Sequence, residues 1–85
     1  MVVLFTPHFK RDAKRLPISL RGIVEERLSL FKGDPFAPAL KTHKLEGTLK
    51  DYWAFSIDYR HRAIFTFEGK LTVVLHAIGD HSVYE

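Results

Sequence analysis

The chain has 85 residues, 46% of them hydrophobic and none of them cysteine, with a formal net charge of +3. That length reads as one small domain, residues 1–85, and such a domain buries only about 60–65% of the surface its unfolded chain exposes, so it depends on a well-filled core. The missing cysteines exclude disulfides and thiolate metal sites, and no apolar run approaches the ~20 residues that cross a bilayer.

The charge is unevenly spread. Residues 1–50 hold ten Lys/Arg against five Asp/Glu, whereas residues 51–85 hold three against five. The positive charge therefore gathers in the N-terminal half, either as a surface for phosphates or an acidic protein or as a solvated face with no ligand. Met1–Phe5 is apolar, but no long hydrophobic region with a cleavage site follows it, so a secretory signal is not indicated. A cytoplasmic protein with no membrane association is expected.

Met1–Phe5 reads as a strand. Thr6-Pro7 ends it and opens a helix, with Thr as N-cap and Pro in the first turn. Phe5, Phe9, Ala13 and Leu16 recur at helical spacing. The residue before a proline is pushed out of helical geometry, so this helix stops near Leu16-Pro17. A second helix is predicted from about Ile18 to Lys32, with an apolar stripe of Leu20, Ile23, Val24, Leu28 and Phe31 and a stop at Gly33-Asp34-Pro35. The two helices form a hairpin. Residues 33–50 read as a loop, marked by Gly33, Pro35, Pro38 and Gly47, in which Ala39–Leu45 is expected to be partly ordered because Leu40 and Leu45 need cover.

From Asp51 onward the pattern alternates. Tyr52–Tyr59 places Trp53, Phe55, Ile57 and Tyr59 on one face of a strand. His61–Phe67 is a second strand, and Glu68-Gly69 a tight turn. Lys70–Ile78 is a third, with Leu71, Val73, Leu75 and Ala77 opposite Thr72, Val74, His76 and Ile78. The order β-α-α-β-β-β is an α+β layout, with the helical hairpin on one face of a small antiparallel sheet and the other face open to a ligand.

Five histidines stand in the chain. Without H-E-x-x-H or a His pair at helical spacing, no metal site is expected. There is no G-x-S-x-G elbow and no glycine-rich phosphate loop. What remains is His, Arg and Tyr near the end of the chain, behind a basic loop. That set suits RNA cleavage, because RNA carries its own nucleophile, the 2′-hydroxyl. The protein need only take that proton, protonate the leaving 5′-oxygen and neutralise the phosphate. Imidazole suits either proton step, and Arg holds phosphate bidentately. His8 and His76 read as surface or strand-edge residues, and His61 stands evenly between that role and a site role.

Thr42-His43-Lys44-Leu45-Glu46-Gly47 is followed by Lys50-Asp51-Tyr52-Trp53 and then by Asp58-Tyr59-Arg60-His61-Arg62-Ala63-Ile64-Phe65. The chain closes with Ile78-Gly79-Asp80-His81-Ser82-Val83-Tyr84, which matches an I-G-x-H-x-x-Y signature at Gly79, His81 and Tyr84. In this order the segments resemble the RelE/ParE toxin superfamily, nearest its YafQ-like and RelE/StbE-type members, over essentially the whole chain. The resemblance implies a RelE-like fold and a cytoplasmic toxin of a type II toxin–antitoxin system. Its partners would be a cognate antitoxin protein and mRNA, in some members on the ribosome, and its activity that of an endoribonuclease (mRNA interferase) needing no metal or other cofactor.

The resemblance also implies site residues. His81 is the leading general acid or base and Arg62 the phosphate stabiliser, with His43 and Tyr84 as further catalytic candidates. Arg60, Lys41, Lys44, Lys50 and His61 are the substrate-binding candidates. The chain also departs from both groups. Trp53 and Phe55 stand where RelE carries two lysines, and Ser56 and Arg60 where the YafQ type carries a central His and Asp. Trp53 and Phe55 are expected to pack in the core rather than stack on bases. Two other readings follow from these departures: a ParE-like toxin that acts on DNA gyrase without nuclease chemistry, and a decayed member that only binds its antitoxin. The antitoxin is expected to be acidic where it meets the helices and residues 41–50.

Overall fold

The structure, a computed structural model, describes residues 1–80 and Val83. Thr6 opens helix α1 (Pro7–Arg15) as its sequence predicts, with an extended backbone and its Oγ1 accepting from the Phe9 amide at 3.0 Å. Leu16, extended ahead of Pro17, ends the helix. The chain makes one 3-10 turn, Ile18–Leu20, before helix α2 (Arg21–Gly33). The second helix thus starts later than its apolar spacing predicts. No side chain caps it, and the tighter turn takes up the entry.

Among the described residues, five strands form one sheet: β1 (Val2–Phe5), β2 (His43–Lys44), β3 (Trp53–Ser56), β4 (Arg62–Phe67) and β5 (Thr72–Gly79), in the order β1-β5-β4-β3-β2. β1 runs parallel to β5, and the other pairs are antiparallel. The sheet is therefore mixed, which corrects the expectation of an antiparallel one. Alternation within a strand fixes which residues share a face but not which strand lies alongside. Within residues 33–50 the order expected over Ala39–Leu45 is present, and it includes a short strand. Leu40 is fully buried, the Thr42 hydroxyl donates to the Pro35 carbonyl, and β2 pairs with β3 at the sheet edge.

The core lies between the helices and one sheet face. Phe31 of α2 is fully buried, stacked on Phe55 at 4.5 Å and edge-on to Phe65 at 4.8 Å. Phe9, Leu40, Ala63, Val73, Leu75 and Ile78 join the same cluster. Arg27 Nε donates to the Ile57 carbonyl at 3.2 Å, which ties α2 to the end of β3.

Simple alternation puts Ile78 opposite Leu75, yet both are buried in this cluster. The reason is a β-bulge. Phe65 pairs with Leu75 but Ile64 with Ala77, so β5 carries one extra residue, His76, and the face of every residue after it is reversed. Tyr59 departs from the pattern too. It is 94% exposed, because β3 ends at Ser56 and the chain turns.

β1 ends at Phe5, opposite Leu75, which leaves His76–Gly79 of β5 without a strand on that side. Helix α1 serves this edge instead. Thr6 Oγ1 donates to the His76 carbonyl at 3.2 Å, and Asp12 Oδ2 accepts from the Ile78 amide at 3.1 Å. Backbone groups that would otherwise invite another strand are thereby satisfied.

Candidate functional site

Residues paired across a sheet point to the same face. His43 pairs with Ala54, Ala54 with Ile64 and Ile64 with Ala77, so these four form one row on the face away from the helices. Ser56 and Arg62 make the next row on one side, and Thr66 with Val74 the next on the other. Ala54 and Ile64 form a floor of modest side chains that is itself covered, at 0% and 3% exposure. His43, Tyr52, Arg62, Thr66 and His76 stand around it. From strand spacing and rise, the floor is about 14 Å across from His43 to Ala77 and about 13 Å long from Arg62 to Thr66.

His43 is exposed, and its Nδ1 lies 3.0 Å from the Lys41 carbonyl. A carbonyl only accepts, so Nδ1 carries the hydrogen, and the neutral ring keeps its lone pair on Nε2. Lys41 itself adopts a left-handed φ of 51°, uncommon outside glycine.

The turn between β3 and β4 is built on Asp58. Its Oδ1 accepts from the Arg60 amide at 2.9 Å, the His61 amide at 2.7 Å and His61 Nδ1 at 2.9 Å. Burial pushes the carboxyl upward, but the hydrogen bonds from the His61 ring and from the two amides outweigh it and hold the group below its ordinary value. Arg62 joins the same turn. One of its guanidinium nitrogens, Nη1, donates to the carbonyls of Asp58 at 2.7 Å, His61 at 3.0 Å and Tyr59 at 3.3 Å.

The sequence candidates are thus only partly brought together. His43 and Arg62 share the face away from the helices. His61 lies on the helix side, in a cleft of about 420 Å³ with Asp12, Arg15 and Gly79, and its ring clamps the Asp58 turn. Lys44 pairs with Trp53 and so also belongs to the helix side. Lys41, Lys50 and Arg60 are exposed in connecting segments. Phe55 is fully buried, and Trp53 packs against the core, so neither offers a ring to the face that carries His43. His81 and Tyr84 lie outside the described residues. The chain turns back after β5, where Val83 comes so near Gly79 that a Cβ there would meet Val83 Cγ1 at 2.8 Å.

His76 reads from the sequence as a surface or strand-edge residue, but the bulge gives it partners. Its Nε2 lies 2.8 Å from Thr66 Oγ1, which donates onward to Glu68 Oε1 at 3.1 Å. Its ring meets Tyr52 edge-on at 5.3 Å. Burial lowers the imidazole pKa, and the Glu68 charge offsets only part of that, so the ring is neutral near pH 7. The signal for it in the sequence is Thr66 and Glu68, two residues apart, with His76 across the Gly69 turn.

Among the described residues, no three His, Asp or Glu side chains gather as a metal cluster, and no helix is long and apolar enough to cross a membrane. No protein-family model matches the sequence, and no curated protein matches it significantly. Solved structures do match in fold. A YoeB/ParE toxin from Agrobacterium tumefaciens has a TM-score of 0.77 at 21% identity, over 95% of this chain and 99% of the other. YafQ from E. coli has a TM-score of 0.76 at 16% identity, over 96% and 94%. A chain of the RelB–RelE antitoxin–toxin complex from Methanococcus jannaschii has a TM-score of 0.75 at 18% identity, over 95% and 94%.

Proposed function

We propose, taking as premise that the chain has the fold of the RelE/ParE-like toxins, that it is the toxin of a type II toxin–antitoxin pair and an endoribonuclease cleaving mRNA. The observation that carries the nuclease reading is His43. Its Nδ1 is tied to the Lys41 carbonyl, which leaves Nε2 as the proton-accepting atom of an exposed side chain at the edge of the sheet face that Arg62 also borders. Imidazole here exchanges a proton with the 2′-hydroxyl or the 5′-oxygen, and Arg62 and the exposed Arg60 neutralise charge on the phosphate. Single-stranded RNA suits such a face, because its unstacked bases splay onto a sheet.

The antitoxin partner follows from the other side of the molecule. Lys10, Arg11, Lys14, Arg15 and Arg21 are exposed along α1 and the start of α2. An acidic antitoxin segment would cover them and be steered there by charge.

Adding the protein to a translating extract tests the reading, with mRNA integrity followed on a gel. Wild type is expected to cut the message and His43→Gln to cut it at least about 10²-fold more slowly. Intact mRNA together with inhibited DNA gyrase would replace this reading with the ParE-like one. Intact mRNA with active gyrase would leave antitoxin binding alone.

A further inference from the structure

We propose that His76 is a second catalytic residue on the sheet face away from the helices, taking the 2′-hydroxyl proton through Nδ1, with Thr66 and Glu68 as positioning residues. This rests on the nuclease reading above and adds a residue which neither the motifs nor that reading assigns.

The hydrogen-bond chain sets the atoms. Thr66 has one hydroxyl proton, and the Glu68 carboxylate, 3.1 Å away, only accepts, so that proton points to Glu68. Thr66 Oγ1 must then accept from His76 Nε2 at 2.8 Å, which fixes the Nε2–H tautomer and puts the lone pair on Nδ1. Tyr52 packs edge-on against the ring and holds its plane. The ring sits at a bulge, and bulges beside active sites re-aim a side chain. Thr66, its direct partner, lies on the same face as His43.

In the proposed step the 2′-hydroxyl gives its proton to His76 Nδ1 while its oxygen bonds to phosphorus. The phosphorus–5′-oxygen bond breaks, and the leaving oxygen takes a proton from His43 Nε2–H in its protonated form. The products are a 2′,3′-cyclic phosphate and a 5′-hydroxyl. The imidazolium formed at His76 is stabilised through Thr66 by the Glu68 charge. The titratable groups around His76 are Tyr52 ahead of β3, Glu68 beyond β4, and Asp12 with His8 on α1. Asp12 is already engaged by the Ile78 amide at 3.1 Å and by His8 at 3.3 Å.

The test combines cleavage kinetics with NMR of the histidine rings, on the whole chain. His76→Gln is expected to lower kcat at least about 10²-fold. Thr66→Val is expected to lower it about 10-fold and to abolish the Nε2–H signature of His76 in long-range ¹H–¹⁵N spectra. Glu68→Gln, an exposed change that leaves the fold alone, removes the charge that favours the imidazolium, so the acid limb of the kcat profile should move to lower pH. A merely structural role would not move that limb. If wild type cleaves and either His76→Gln keeps its rate or Glu68→Gln leaves the acid limb in place, the role of His76 is overturned and the nuclease reading stands. If wild type cleaves no RNA, both fall together.

Discussion

Phe31→Ala is expected to cost about 3–5 kcal/mol, the range for truncating a fully buried phenylalanine. The ring has no exposed surface and touches Phe55 and Phe65, so its loss opens a cavity at the junction of α2 with the two central strands. An 85-residue domain has roughly 4–13 kcal/mol of stability in all. The variant should therefore melt about 15–30 °C lower, or fail to fold. Phe36 is a useful contrast. It contacts Trp53 and Phe67 but is 54% exposed, and Phe36→Ala should cost only about 1 kcal/mol. Thermal melts of the two variants check this. Equal losses would mean that Phe31 is not the centre of the core.

The second large effect belongs to Asp58. One carboxylate oxygen accepts three hydrogen bonds, so Asp58→Ala strands the His61 and Arg60 amides and should cost about 1–3 kcal/mol. The β3–β4 turn, whose carbonyls hold Arg62, would loosen with it. Asp58→Asn keeps an acceptor oxygen but not the charge, and should cost less. The pH dependence follows from the lowered carboxyl pKa. A group held below its unfolded value of about 3.9 stabilises the fold fully above that value, and the contribution is lost as pH falls through the folded value. Wild type should therefore lose stability relative to Asp58→Asn on acidification below about pH 4, as read by urea midpoints across pH. A constant gap between the two at all pH values would contradict this.

The helix boundaries were readable because they rest on local chemistry. Thr6-Pro7 and Leu16-Pro17 act within a few residues of themselves. The core face of the Tyr52–Tyr59 and Lys70–Ile78 strands was readable as far as alternation persists, which is why Phe55, Ile57, Val73 and Leu75 fall where expected and Ile78 does not. A bulge depends on the partner strand and leaves no mark in a single strand's pattern. The parallel β1–β5 pairing and the two-residue β2 were hidden for a related reason, since both are decided by segments distant in sequence.

The site was legible as residue types more than as geometry. His43 and Arg62 do share one sheet face. Nothing in the sequence shows that an Arg62 nitrogen is engaged by three turn carbonyls, or that His61 turns to the helix side and braces Asp58. His76 was passed over because its partners, Thr66 and Glu68, lie across a hairpin and meet it only through the bulge.

The chemistry of the cut ends tests most directly whether this face cleaves RNA through the substrate's own 2′-oxygen. The account predicts fragments with 2′,3′-cyclic phosphate and 5′-hydroxyl ends, and no cut where the scissile nucleotide is 2′-deoxy. Fragments with 5′-phosphate ends, or cleavage at the 2′-deoxy position, would contradict it.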